Sequence, residues 1–229
     1  MVIKVKYQDN TKQEFNTFEE ITNYNQVISL DCSSNNLTNL PELPNTLQQL
    51  YCCNNNLITL PELPNSLRIL YCRNNNLTSL SELPNFLQKL YCNNNKLTNL
   101  SELPNSLQQL ICSNNNLTNL PELSSLLKLL CCYKNRLVSL PELPHSLRIL
   151  HCCHNKLTCL PEIPGSLQDI YCSNNKLTCI PLTNIPLTKV YKGKLPIIHT
   201  SHITKKIQRC FRRYYYSKFV KNTKYFVKN

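Results

Sequence analysis

The 229-residue sequence predicts an α/β repeat solenoid, with a parallel β-sheet on one face, irregular or 3-10 turns on the other, and a basic C-terminal helix. Three observations predict it. A unit of 20 residues recurs without slipping between Val27 and Ile180, each unit carries one short alternating apolar stretch, and the excess positive charge is confined to the end of the chain. Such a period marks stacked units, none of which can bury its own apolar face alone.

The ends of a stack expose core, so the flanks are expected to be lids. In residues 1–26, Val2 to Tyr7, a turn at Asp9-Asn10, and Lys12 to Phe15 read as a hairpin. Thr17-Phe18-Glu19-Glu20 reads as a capping box opening a short helix to about Tyr24. Residues 27–180 hold the repeats, of which one runs Leu47-x-x-Leu50-x-Cys52-x-x-Asn55-x-Leu57-x-x-Leu60-Pro61-Glu62-Leu63-Pro64. Its Asn recurs as Asn35, Asn55, Asn75, Asn95, Asn115, Asn135, Asn155 and Asn175, which gives eight rungs.

Within a unit, Leu50 and Cys52 alternate with Gln49, Tyr51 and Cys53, so a short strand sends one set inward and the other to solvent. Eight parallel strands at about 4.8 Å make a curved sheet of roughly 40 Å over one shared core. The Asn amide is expected to satisfy backbone groups left as the chain turns out of each strand, forming a buried ladder. Pro61-Glu62-Leu63-Pro64 imposes extended dihedrals, which excludes full helices on the far side. In residues 181–200, Leu187 to Tyr191 keeps the phase but loses Cys and Asn, as a degenerate last repeat and linker would.

These residues resemble the leucine-rich repeat family, whose L-x-x-L-x-L-x-x-N-x-L signature is met here with Cys in place of the middle strand Leu. The wording L-P-E-L-P-x-S-L is similar to the 20-residue repeats of bacterial effectors, and the Cys-rich, Asn-rich units are similar to repeats of giant viruses of amoebae. The resemblance covers about two thirds of the chain. It implies a leucine-rich repeat fold and says little about the ligand; the outward strand face is what gives the expectation of a protein partner, a host protein if the source is a virus or intracellular bacterium. Some effectors of this kind carry a ubiquitin-ligase domain with a catalytic Cys after the repeats. Here the 49 residues beyond Ile180 hold a single Cys, Cys210, so that activity is not expected.

Composition excludes other classes. Two glycines leave little for phosphate-cradling loops, and no apolar run reaches the roughly 18 residues of a membrane span. The start lacks the apolar core of a secretory signal, which gives the expectation of a soluble cytoplasmic protein, in host cytoplasm if viral. Residues 1–26 contribute −1, residues 27–180 contribute +1, and residues 181–229 contribute all of the remaining +12.

Eight of the 14 Cys occupy the repeating strand position, Cys32 to Cys172, and are expected as buried free thiols, because in-register parallel side chains give a poor S–S dihedral. Cys159 and Cys179 stack one rung apart and are expected as thiols too. Cys131, His151 and Cys153 share the outward face, with His154 following, and could hold zinc; the alternative is chance enrichment on a Cys-rich surface. A flat sheet supplies no enclosure for a nucleophile, so neither an enzyme nor a cofactor is expected.

The outward column reads Asp31, Tyr51, Tyr71, Tyr91, Ile111, Cys131, His151, Tyr171. Tyr offers large rigid contact area and a hydroxyl, which suits recognition; stacked Tyr also stabilise a sheet, and the two readings are compatible. The expected partner contacts are Tyr51, Tyr71, Arg73, Tyr91, Ile111, Tyr133, His151 and Tyr171. A second column, Glu42 to Glu162, is expected to keep the other side solvated.

In residues 201–229, Ile203, Ile207, Cys210, Phe211 and Tyr214 form one helical stripe, with basic residues opposite. A basic amphipathic helix is expected, with Lys205, Lys206, Ile207, Gln208, Arg209, Phe211, Arg212 and Arg213 as its contacts. Ile207-Gln208-x-x-x-Arg212 resembles the start of an IQ motif, which implies a calmodulin-like partner, although Arg213 stands where that motif has Gly. The remaining alternatives are a terminal lid, nucleic acid or an anionic membrane surface.

Overall fold

Alternation of apolar and polar side chains every 20 residues becomes a single sheet in the computed structural model, which describes residues 1–178 and the backbone of residues 190–191. Its strands are β1 (Ile3–Tyr7), β2 (Lys12–Phe15), β3 (Val27–Asp31), β4 (Gln49–Tyr51), β5 (Ile69–Tyr71), β6 (Lys89–Tyr91), β7 (Gln109–Ile111), β8 (Leu129–Cys131), β9 (Ile149–His151), β10 (Asp169–Tyr171) and β11 (Val190–Tyr191). From β3 to β11 each strand pairs in parallel with the next, and β1 and β2 close the first edge antiparallel. The register is uniform: Leu50 faces Leu70, Leu70 faces Leu90, and so on to Ile170. Chain contacts divide residues 1–194 from residues 195–229, and the second unit lies outside the described residues.

The core is a stack of identical layers. Leu47, Leu50, Cys52, Leu57, Leu60 and Leu63 of one unit are all buried, as are their equivalents in the units that follow through Leu147, Leu150, Cys152, Leu157, Leu160 and Ile163, apart from the half-buried Leu80, Leu103 and Leu123. Each fully buried Leu contributes about 1.5–3 kcal/mol relative to leaving it in water. Cys stands where the strand ends: Cys52 N–H continues the ladder to Tyr71 O at 2.8 Å, and its thiol donates to the same carbonyl at 3.5 Å. Among the described residues Cys32, Cys52, Cys72, Cys92, Cys112, Cys132 and Cys152 are free buried thiols. Cys159, expected as a thiol, is instead disulfide-bonded.

The Asn ladder is realised bond by bond. Asn115 donates Nδ2–H to Cys112 O of its own rung and Cys92 O of the rung before, both at 3.1 Å, while its Oδ1 accepts the Leu97 N–H at 3.0 Å. The same three bonds recur from Asn55 to Asn175. At Asn35, where no rung precedes, Val2 takes its place: Asn35 Nδ2 donates to Val2 O at 2.7 Å and its Oδ1 accepts Val2 N–H at 2.8 Å. The hairpin thus imitates a rung as well as covering the core with Ile3, Val5 and Tyr7.

The far side is as its prolines led one to expect, whereas the α/β class and the helix from Thr17 need correction. The far side of every unit is coil with one turn, Leu67 N–H donating to Pro64 O at 3.0 Å, and no α-helix occurs among the described residues. The α/β class therefore reduces to a β-solenoid. The helix from Thr17 is also absent. Glu20 does reach back to Asn16 N–H (2.8 Å) and Thr17 N–H (3.4 Å), half of a capping box, yet the segment forms turns and a 3-10 turn at Tyr24–Gln26, and Asn23 is left-handed at φ 50°. Ile21 is the buried residue of that stretch, too little apolar surface to hold a helix against the core. The basic C-terminal helix lies outside the described residues.

Just before each ladder Asn the chain turns through left-handed φ, at Ser34 (60°), Asn54 (54°), Asn74 (56°), Asn94 (58°), Asn114 (53°), Lys134 (52°), His154 (54°) and Asn174 (55°). Asn tolerates this region better than other side chains do. The exposed amides also form a ladder of their own, Asn74 to Asn54 and Asn94 to Asn74 at 2.5 Å, Asn114 to Asn94 at 2.8 Å. Lys134 interrupts it, and a rung-to-rung bond returns where Asn174 meets the His154 ring.

Candidate functional site

The strand face gathers six of the expected contacts into one column. Tyr51, Tyr71, Tyr91 and Ile111 occupy successive register positions, Cys131 follows, and His151 and Tyr171 complete the line. Their side chains are half-buried, apart from Cys131, which is buried. Three-residue strands carry the core Leu inward at their centre and leave both flanking side chains outward, which is why the column is unbroken.

The Tyr side chains touch. Tyr51 and Tyr71 meet edge to face at 5.2 Å between centroids, and Tyr71 and Tyr91 stack at 4.2 Å with rings 4° apart. Tyr91 donates its hydroxyl to Gln109 Oε1 at 2.5 Å and Tyr51 to Gln49 Oε1 at 3.0 Å, so the rings are fixed at both ends. Loss of water raises the Tyr91 pKa to about 12, helped by Tyr71, and raises that of Tyr51. The phenols stay neutral through the physiological range. His151 packs edge to face on Tyr171 at 4.1 Å; burial lowers its pKa and so favours the neutral ring, against an opposing pull from Asp169.

Arg73 and Tyr133 lie in the adjoining column, both exposed. Between them Ser113 is fully buried, its hydroxyl without a partner. Sequence reasoning gave no hint that this position would be buried.

Cys131, His151, Cys153 and His154 do not converge. Cys131 faces His151 across the sheet, but Cys153 Sγ accepts the Ser173 hydroxyl at 3.1 Å and the exposed His154 ring bonds Asn174 at 3.0 Å. Among the described residues no three His, Cys, Asp or Glu side chains are grouped to hold a metal. Burial pushes the Cys131 thiol up to about 12, so it is not a nucleophile at neutral pH. The tail contacts, Lys205, Lys206, Ile207, Gln208, Arg209, Phe211, Arg212 and Arg213, lie outside the described residues. No described helix is long and apolar enough to cross a membrane.

The hairpin supplies what sequence reasoning missed. A cleft of about 580 Å³ lies where it meets the first repeats, lined among others by Lys4, Lys6, Lys12, Asp31, Gln49 and Tyr51. The signal was present in Ile3-Lys4-Val5-Lys6-Tyr7, whose buried residues alternate with lysines that must share the outward face of the sheet.

Comparison with known proteins accords with this geometry. Residues 65–105 match the family described as Leucine Rich repeats (2 copies). No curated protein matches the chain significantly. Among solved structures, the chain is similar to YopM from Yersinia enterocolitica WA-314, with 34% identity and a TM-score of 0.73 over 77% of this chain and 39% of that one. It is similar to YopM, a leucine-rich effector protein from Yersinia pestis, with 34% identity and a TM-score of 0.65 over 75% and 57%. A Shigella effector LRR domain matches at 30% identity and a TM-score of 0.61 over 81% of this chain and 76% of that one. The chain therefore spans 39% and 57% of the two Yersinia proteins. All three relatives are bacterial, and they lend nothing to the resemblance to giant-virus repeats. Sequence period, register and these matches agree that the chain belongs to the leucine-rich repeat family.

Proposed function

We propose that the chain is a non-enzymatic interaction scaffold that captures a protein partner on its strand face, with Tyr51, Tyr71, Arg73, Tyr91, Ile111, Tyr133, His151 and Tyr171 as contacts. One observation carries the reading. Tyr51, Tyr71 and Tyr91 form a contiguous, partly exposed aromatic run, held rigid by mutual ring contact and by Gln49 and Gln109. Rigid aromatic surface loses little entropy on binding and is where interface energy concentrates. Similarity to effectors of Yersinia and Shigella supports a host protein, met in host cytoplasm, as that partner.

The test is proximity labelling followed by affinity measurement with the purified partner, wild type against Tyr71→Ala/Tyr91→Ala. The double variant is expected to lose capture while remaining folded, because each cross-strand pair contributes at most about 1 kcal/mol to the sheet. Undiminished affinity refutes the assignment. A second reading rests on the charge of +12 in residues 181–229, which fits a calmodulin-like protein, nucleic acid or an anionic membrane. It predicts that Lys205→Gln/Lys206→Gln/Arg209→Gln/Arg212→Gln/Arg213→Gln, and not the Tyr variant, abolishes binding.

A further inference from the structure

The strand face does not stop at β3. β1 pairs antiparallel with it, Lys4 opposite Asp31 and Lys6 opposite Ser29, and β2 pairs with β1, Glu14 opposite Lys4 and Lys12 opposite Lys6. Because Ile3, Val5 and Tyr7 are buried, Lys4 and Lys6 project on the same side as Ser29 and Asp31. The column that begins with Tyr91, Tyr71 and Tyr51 thus runs on into the charged cleft of about 580 Å³.

The charges in that cleft are unevenly matched. Lys4 pairs with Glu14 at 3.3 Å, and Asp31 accepts the Ser33 N–H at 3.0 Å. Lys6 and Lys12 face each other directly and, among the described residues, neither meets a carboxylate. Like charges directly opposite in an antiparallel pair repel, so the pair is destabilising until an anion comes between them. With Glu14 and Asp31 also lining the cleft against three lysines, the excess is a single positive charge. That suits an isolated carboxylate and disfavours the dense negative charge of a nucleic-acid backbone.

We propose that this cleft seats an acidic side chain from a segment of the protein partner, its carboxylate between Lys6 and Lys12 and its neighbouring apolar surface against Tyr51. Continuity with the Tyr column is what selects a protein segment as occupant. The inference rests on the strand face being the partner surface, and it adds the chemistry of the partner's end nearest the hairpin.

The experiment uses the full chain and a fluorescein-labelled peptide with one carboxylate side chain, Gln-Gln-Tyr-Glu-Gln, with Gln-Gln-Tyr-Gln-Gln as control, read by anisotropy. Lys6→Gln/Lys12→Gln is expected to weaken binding of the acidic peptide about five- to tenfold and to leave the control peptide unaffected. Lys205→Gln/Lys206→Gln is expected to leave the acidic peptide bound. Lys6 and Lys12 both reach solvent and repel each other, so the thermal midpoint of the double variant should not fall. Unchanged affinity in Lys6→Gln/Lys12→Gln, or a loss seen only in the tail variant, overturns the proposal. If Tyr71→Ala/Tyr91→Ala loses the partner while the cleft variant keeps the acidic peptide, the cleft alone is refuted; if the Tyr variant keeps the partner, the strand-face reading fails by itself.

Discussion

Replacing Asn115 by Ala tests the bond pattern that joins one rung to the next. The Leu97 N–H loses its acceptor at Asn115 Oδ1 and is buried with a fully buried residue, so it stays without a partner. Cys92 O and Cys112 O lose one donor each but keep another, from Asn95 and Asn135, both at 3.0 Å. An orphaned buried donor costs about 1–3 kcal/mol and each further lost bond about 1 kcal/mol, which places the total near 3–5 kcal/mol. Urea unfolding followed by circular dichroism measures it. Asn119→Ala, at an exposed position of the same unit, should change stability by less than about 0.5 kcal/mol. Asn115→Asp is the sharper control, since it keeps an acceptor for Leu97 N–H while presenting a carboxylate to two carbonyls, and it should be no milder than Ala. Asn115→Ala lying within about 0.5 kcal/mol of the parent would refute the account.

Lys134→Asn should stabilise the protein by about 0.5–1 kcal/mol, because φ of 52° suits Asn better and the amide ladder from Asn114 is extended; an unchanged or lower thermal midpoint counts against it. Alkaline pH should unfold the array. Burial raises the Cys32 and Cys92 thiols to about 12 and holds those of Cys52, Cys72, Cys112, Cys132 and Cys152 well above the usual range, so the folded state holds protons that the unfolded state releases. Stability is then complete below about pH 9 and declines as pH rises toward 12, which urea midpoints between pH 8 and 11 will register.

The strands, the ladder Asn and the core Cys were legible because each is defined by a position modulo 20, and stacking turns that position into a neighbour. Tyr51, Tyr71 and Tyr91 needed no more than this to be placed side by side. The helix expected from Thr17 was misread since a capping box predicts only how a helix would start, and here the chain forms turns, with Asn23 in the left-handed region leading into a 3-10 turn. Neither the Lys6–Lys12 cleft nor the buried Ser113 hydroxyl follows from the period. The first depends on an antiparallel register set by the Asp9-Asn10 turn and an irregularity between Lys6 and Tyr7, the second on packing at one rung only.

Val2 standing in for a missing rung at Asn35 makes the array indifferent to its own length. Whole units can be gained or lost downstream of Asn35 in steps of 20 residues, because each junction offers and accepts the same three bonds, whereas a single inserted residue would throw every later amide out of alignment. Evolution can therefore resize the Tyr-bearing face like a ruler cut to measure, while the lysines of the hairpin remain fixed at its zero mark.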